Sequence, residues 1–459
     1  MTTEELGSYS GSFSEYTELR VQENRSLDIA IVNGDVMSNS VSTVSGVSAR
    51  TYTNGLWGFA SSPTIDDGGI RGVIESATAN CRFLASREHR DGPVLPSVPG
   101  RSHRDFSTSR RRLSQKEIIG FLRELDARIA GNCGGLASRT VSLRLLDMEK
   151  TLVTSDGSSC YSMVPRSILY IAMTAERNGE PVQLMEVHGG LGQFEDVFDD
   201  PGALEVKLDD HYRSLMEKAQ GVHPDTGTKE CILDADLAGI LSHEAIGHTT
   251  EADIVRGGSV AGDNLGVQVA SPLVTLVDFA HEALGTTCPV PVFMDDEGTV
   301  AEDAVIIEEG VLRGFMHSRE SAAFFGARPT GNARAYQFSD EPIIRMRNTA
   351  ILPGSSRLED MIASVDDGYY LMKPSNGQAD STSEFMFGVV QGYEIKKGRL
   401  GRAIRDTTIS GVAFDMLKTV TAVSDDMKWS CGGMCGKKQE IPVGMGGPAV
   451  KCMMNIGGR

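Results

Sequence analysis

No stretch of the 459 residues approaches the roughly 20 consecutive apolar positions that a helix needs to span a bilayer. The opening residues, MTTEELGSYSGSF, have neither the basic segment nor the apolar run of a secretory signal. Positive charge is scarce: Lys and Arg total 44 against 62 Asp and Glu, a formal net charge of -18. A general affinity for nucleic acid or anionic membrane is therefore not expected, and the charge serves solubility. Cysteine is sparse and scattered, at Cys81, Cys133, Cys160, Cys231, Cys288, Cys431, Cys435 and Cys452, without the dense framework of a small secreted domain. These absences together imply a cytoplasmic protein whose thiols are mostly buried and reduced.

With 40% hydrophobic residues the chain is globular, and its length exceeds the roughly 250 to 300 residues a single core supports. From Ser14 to about Gly58 the pattern has period two, and Asn33-Gly34 and Asn54-Gly55 stand between alternating runs, the strongest short signal for a β-hairpin. A helix is expected over Ile70 to Ser86. The segment from Arg90 to Arg112 is rich in Pro, Ser and Arg and reads as a loop. Its arginines 101, 104, 110, 111 and 112 suggest either a phosphate-binding patch or a solvated excursion, and so acidic a chain favours the second. Ser114 and Glu117 form a capping-box pattern, after which Ile118, Leu122, Leu125 and Ile129 recur at helical spacing. Strands return from Thr140 to His188, with turns at Asp156-Gly157 and Asn178-Gly179, and a further helix spans Leu204 to Ala219. The segment His223 to Lys229 is the best candidate for a domain boundary. Beyond residue 250 the chain is strand-like (LVTLVDF, AVIIEEGVLRGFMHS, EPIIRMRNTAIL, GYYLMK, EFMFGVVQGYEIKKGRL), dense enough in Gly turns to suggest a twisted, barrel-like antiparallel sheet. Arg357 to Val365 reads as a short helix.

The chemistry concentrates in HEAIGH, from His243 to His248. Two imidazoles flank a carboxylate, as in the zinc motif HExxH, but here the histidines are five apart rather than four. In a regular helix that spacing swings the second ring about 140° from the first. A π-bulge, or a helix ending near Gly247, brings the two back toward one face. A short strand from Cys231 to Asp234, a cap at Asp236 and an apolar stripe of Leu237, Ile240, Leu241 and Ile246 complete the expected setting. Downstream, Cys431 and Cys435 lie in the glycine-rich CGGMCGK, where a thiolate can be presented.

Several stretches in order, SEYTELRV (14 to 21), GLWGFAS (55 to 61), LSHEAIGHTTEAD (241 to 253), DDEGT (295 to 299), RMRNT (345 to 349), NGQAD (376 to 380) and CGK with its later PV (435 to 443), resemble the TldD and PmbA family of metalloproteases. The HExxxH motif aligns the chain with the TldD branch, since the TldE or PmbA-type subunit typically lacks it. The resemblance implies an α+β fold, with an α/β amino-terminal domain, 1-222, and a largely antiparallel β carboxy-terminal domain, 223-459, that carries the metal-site helix. It also implies a zinc (Zn2+) peptidase for unfolded or peptide substrates, often a heterodimer with an inactive homologous subunit, a homodimer being the other arrangement. Carried over by position, His243, His248 and Cys435 are the metal ligands and Glu244 is the catalytic base. The segment CGKKQEIPV is one residue shorter than the family's usual CGKxGQ before Pro-Val, which keeps Cys431 as the alternative ligand. Two imidazoles and one thiolate meet the ligand count of a hydrolytic zinc with one open position, and Glu244 stands where it can take a proton from water and hand it to a leaving amine. Glu251 and Asp253 either orient ligand rings or face solvent. Two other readings keep the motif: a tailoring hydrolase of a peptide or amide in a biosynthetic pathway, and a non-catalytic peptide-binding subunit with a structural metal.

Overall fold

The computed structural model describes residues 1–88 and 92–457. Long period-two segments build the first sheet: β1 (Tyr16–Val32), β2 (Asp35–Thr53), β3 (Leu56–Ser62), β4 (Arg101–Asp105), β5 (Leu136–Thr154), β6 (Ser159–Arg177) and β7 (Glu180–Leu191). Its order is β3-β2-β1-β5-β6, with β4 and β7 sharing the outer edge of β6. All pairings are antiparallel except β4 with β6. Asn33 and Gly34 have φ of 50° and 94°, Asn54 and Gly55 52° and 80°, and Asn178 and Gly179 54° and 80°. Positive φ at both central residues matches the strand twist in a two-residue hairpin, and Asn followed by Gly adopts it at little steric cost.

Helix α1 (Asp67–Arg87) is capped by the Asp66 carboxylate, which accepts from the Gly69 N–H at 2.7 Å. Helix α2 (Gln115–Asn132) begins at the expected Ser114–Glu117 capping box, and α3 covers Glu205–Ala219. Ile118, Leu122, Leu125 and Ile129 of α2 and Leu208 and Leu215 of α3 bury against Ile29, Leu143, Leu169 and Ile171 of the sheet. Each such aliphatic side chain contributes roughly 1.5–3 kcal/mol. The alternate residues of β1 also face an interior. Arg20, Gln22 and Asn24 are buried and reach the carbonyls of Gln337 and Tyr336 in the carboxy-terminal part. Both sides of this sheet are therefore covered, one by helices and one by the rest of the chain.

From residue 227 a second architecture begins. Strands β8 (Gly227–Leu233), β9 (Asp367–Ala379), β10 (Glu384–Lys396), β11 (Thr407–Val412) and β12 (Val450–Ile456) pair in the cycle β9-β8-β12-β11-β10-β9, so the sheet closes on itself as the Gly-rich strand pattern suggested. Only β8 with β9 is parallel in this ring. Cys231, Leu233, Leu371, Phe387, Ile409 and Met454 share one core with Leu237, Leu241, Ala245 and Ile246 of the motif helix. A second sheet centres on Leu276–Phe279 and Asn348–Ile351, the latter parallel to Gly444–Gly447.

Several local expectations need correction. Of the Arg90–Arg112 loop, position 90 lies outside the described residues, while Arg101–Asp105 is a strand paired to β6. Arg110, Arg111 and Arg112 are partnered by Asp199, Glu117, Asp147 and Glu195, which leaves no open phosphate-binding patch in that run. The helix cap is Asp234, accepting from Leu237 N–H at 2.9 Å, because β8 ends at Leu233 and already includes residues 227–229 of the expected linker. Asp236 instead pairs with Lys373 at 3.1 Å. The run EPIIRMRNTAIL is two strands, Ile343–Ile344 and Asn348–Ile351. It breaks between them because the fully buried Arg345 and Arg347 take their partners from elsewhere: carbonyls of Lys437 and Gln439 for the first, Asp278 for the second. LVTLVDF shortens to Leu276–Phe279, and the helix expected over 357–365 spans Leu358–Ala363.

Candidate metal centre

Helix α4 (Ala235–Leu241) runs without interruption into a π-turn, Ser242–Gly247, in which the His248 N–H donates to the His243 carbonyl. That i to i+5 bond is the wider turn the five-residue spacing calls for. Three hydroxyls engage carbonyls along it: Ser242 to Ala238 at 2.7 Å, Thr249 to Ile246 at 2.8 Å and Thr250 to Gly247 at 3.0 Å. Gly247 is required sterically, since a Cβ there would collide with the Met346 sulfur packed beneath the turn. The two imidazole centroids lie 5.1 Å apart, nearly perpendicular.

Cys435 arrives from the other end of the sequence on a short hairpin, Met434–Cys435 paired with Ile441–Pro442. Its Sγ lies 3.3 Å from His248 Nε2, and donor atoms of His243, His248 and Cys435 all lie within 4.8 Å of one another. The shortened CGKKQE segment is the loop of this hairpin, held by Arg345, whose guanidinium donates to the carbonyls of Cys435, Lys437 and Gln439 at 2.5 to 2.9 Å. Cys431 is not part of the cluster. It sits against Gly190 of β7, and its carbonyl accepts from Arg166.

Glu244 is 27% exposed at the side chain, and its carboxylate faces both Nε2 atoms, 4.0 Å from His243 and 3.8 Å from His248. Both separations are longer than a hydrogen bond. Glu251, fully buried, accepts from His248 Nδ1 at 2.8 Å, which leaves Nε2 turned toward Cys435. Asp253 reaches no ring; it binds Lys437 at 2.7 Å, and Lys437 in turn contacts Glu251 at 3.1 Å. Lys437 was missed in the sequence reading, although its place within CGK was the available signal. Burial disfavours the charged imidazole of His248, but Glu251 and Cys435 outweigh it and raise the ring to about 10. Burial likewise disfavours the Cys435 thiolate, and His243 and His248 outweigh that, bringing it down to about 3.

The donor set suits zinc. A tetrahedral ion about 2.0–2.3 Å from each ligand holds neighbouring donors about 3.3–3.8 Å apart, close to the Cys435–His248 separation. His243 adds the clearest sign: both ring nitrogens are buried and, among the described residues, have no hydrogen-bond partner, a state buried polar atoms rarely occupy without a ligand. Two imidazoles and a thiolate match this borderline-soft cation.

Known proteins resemble this chain over nearly its whole length. Models of the PmbA/TldA metallopeptidase family match in three consecutive parts: domain 1 over residues 17–81, the central domain over 110–219 and the C-terminal domain over 226–458. The chain is 31% identical to Metalloprotease MJ0996 of Methanocaldococcus jannaschii, over 96% of this chain and 97% of that one. It is 31% identical to a zinc metalloprotease TldD homolog of Saccharolobus solfataricus, over 67% and 66% of the two chains. Among solved structures, TldE of Thermococcus kodakarensis superposes with a TM-score of 0.76 at 16% identity, covering 99% of both chains. A Thermotoga maritima protein reaches 0.81 at 20% identity, covering 99% of this chain and 98% of that one. At these identities the two structures speak for the fold. Among the described residues, no helix is long and apolar enough to cross a membrane.

Proposed function

This chain belongs to the PmbA/TldD metallopeptidase family, and from that premise we propose that it is a zinc-dependent peptidase hydrolysing peptide bonds in unfolded or peptide substrates held in extended form. The observation that carries the reading is the convergence of His243, His248 and Cys435 on one point, with the Glu244 carboxylate facing it and partly open to solvent. His243, His248 and Cys435 hold the Zn2+. Zinc held by these three side chains would supply Lewis acidity and a water acidic enough to be deprotonated near neutral pH. Glu244 takes the proton from the attacking water and delivers it to the departing amine. Glu251 fixes the tautomer and orientation of His248, and Lys437 holds Glu251 in place.

The substrate is engaged through its backbone, as a strand added to an open sheet edge, so folded proteins, whose backbones are already paired, are refused. We place the enzyme in the cytoplasm, a compartment that suits its eight free thiols, and divide it at residue 222 into an amino-terminal α/β unit and a carboxy-terminal unit bearing the site. The active form is at least a dimer, with a homologous TldE or PmbA-like subunit or a second copy enclosing the site. The similarity in fold to a TldE chain supports that arrangement.

Glu244→Gln tests the mechanism. The variant is expected to retain stoichiometric zinc and to lose about 10²–10⁴-fold in hydrolysis of unstructured peptides, the usual contribution of a general base. Cleavage near the wild-type rate removes Glu244 from that role. His243→Ala and His248→Ala lose metal and activity together. Light scattering with a concurrent assay tests the assembly, and an active monomer refutes it.

A further inference from the structure

The face of β5 and β6 turned toward the carboxy-terminal part encloses a cleft of two chambers, about 70 Å³ and 180 Å³, that share Leu146, Arg166 and Pro442. The first chamber is lined by Arg104, Lys150, Arg166 and Arg334 against Asp295 and Asp296. In a chain of formal net charge -18 this excess of cations runs against the overall sign. The carboxylates offset only part of it. Asp296 is engaged by Lys150 at 2.7 Å and Arg20 at 3.5 Å, and Asp295 accepts from the backbone N–H groups of Glu297, Thr299 and Ala333.

Arg166 and Arg334 are each 6% exposed, and among the described residues neither has a carboxylate at ion-pair distance. Their partners are neutral: the Cys431 carbonyl for Arg166, and the Met346 and Pro442 carbonyls, at 2.5 and 2.9 Å, for Arg334. Arg166 Nε is buried and has no hydrogen-bond partner among the described residues. Carbonyls satisfy hydrogen bonds without cancelling charge, so the cleft holds two buried guanidiniums whose charge no carboxylate among the described residues offsets at ion-pair distance. A guanidinium with free donors matches a carboxylate in both charge and planar geometry.

The cleft also lies next to the candidate metal centre. Met434 and Pro442 line it, while Cys435, adjacent to Met434 on the same strand, turns to the opposite side and meets His248. Arg334 donates to Met346, whose sulfur packs under Gly247 of the π-turn. Leu146, Met148 and Met294 give the first chamber an apolar wall beside its cations.

We propose that this cleft binds the terminal α-carboxylate of the peptide substrate, with Arg166 and Arg334 as its counter-ions and an apolar C-terminal side chain against Leu146 and Met148. The proposal rests on the peptidase reading above and adds a substrate class to it: chains presenting a free C-terminus.

The test uses the Glu244→Gln protein and hexapeptides labelled at the amino terminus with fluorescein and ending in leucine, one as the free acid and one as the amide, with Kd measured by fluorescence anisotropy. The acid is expected to bind at least about 10-fold more tightly than the amide, as fits the loss of a charge-assisted contact. Adding Arg166→Gln brings the acid to the affinity of the amide and leaves the amide unchanged, while Arg166→Lys keeps part of the difference. Equal affinity of the two peptides, no binding of either, or a parallel loss for both in Arg166→Gln overturns the proposal. The acid–amide comparison needs no change at Arg166 and stands even where that variant does not fold. Wild-type cleavage of an unfolded protein, measured alongside, separates the two levels. Hydrolysis without acid–amide discrimination removes the terminal anchor and keeps the peptidase; discrimination without hydrolysis keeps the anchor and removes the peptidase.

Discussion

Residues 16–191 form seven strands, five of them 12 residues or longer, whereas the chain from residue 227 to 456 includes many strands of only two to four residues. The long ladders of the first region pair nearly every backbone group with a neighbouring strand, and their turns are specified by dipeptides such as Asn33-Gly34. In the second region that role passes to buried side chains. Its three largest fully buried residues are Arg319, Arg345 and Arg347, and the last donates to the carbonyls of Thr330, Asp278 and Glu302 as well as to the Asp278 carboxylate. Side-chain anchoring frees the backbone to turn sharply, which is how loops distant in sequence meet at His243 and Cys435. It also makes the second region the more brittle, since one lost partner strands a buried charge.

Substitutions can break or sharpen this contrast. The largest expected effect is Asp278→Ala, which leaves Arg347 buried without its counter-ion: about 3–5 kcal/mol of stability, read by urea unfolding. A loss under about 1 kcal/mol would show that the buried ions are incidental. The next concerns pH. Burial holds the His317 imidazole down to about 4 from its ordinary 6.5, so between those values the unfolded chain binds the proton and the folded one does not. Stability present above pH 6.5 is then lost as pH falls toward 4, at about 1.4 kcal/mol per unit and about 3 kcal/mol in total. His317→Gln should lower the slope of that limb of a pH series without abolishing it, since burial holds His188 down to about 4 as well, and an unaltered slope would remove His317 from the acid sensitivity.

Within the second region the cysteines of CGGMCGK divide the two roles. Cys435→Ser should weaken zinc binding at least about 100-fold, more than loss of an orienting partner costs, whereas Cys431→Ser should leave it nearly unchanged. Metal titration of the two purified proteins decides, and the reverse ranking moves the ligand to Cys431. The smallest effect belongs to the first region: Asn33→Ala at φ 50° should cost only about 1 kcal/mol, because the flanking ladder still fixes the register.

The same contrast explains which features were legible beforehand. Asn33-Gly34, Asn54-Gly55, the Ser114–Glu117 capping box and the stripe Ile118, Leu122, Leu125, Ile129 are local signals, and the structure bears them out. Asp234 and Asp236 show the limit of such signals: both can cap a helix, and the choice waits on where β8 stops. Arg345 and Arg347 interrupt what period two presents as one strand, because their partners, the CGK hairpin and Asp278, are remote along the chain.

What this sequence determined by itself is the chemistry and its constraint: two histidines five apart around Glu244, a spacing no regular helix serves, so that either a π-bulge or a helix ending near Gly247 is needed. Tertiary structure alone decided that Cys435, 187 residues beyond His248, faces the imidazole while Cys431 does not, that Glu251 rather than Asp253 touches the ring, and that Arg166 and Arg334 line a cleft with no carboxylate among the described residues at ion-pair distance. The physical reason is range. Spacing and turn chemistry act over a few residues of backbone, whereas a thiol, a carboxylate and a guanidinium acquire their function from the groups that folding brings within a few ångströms.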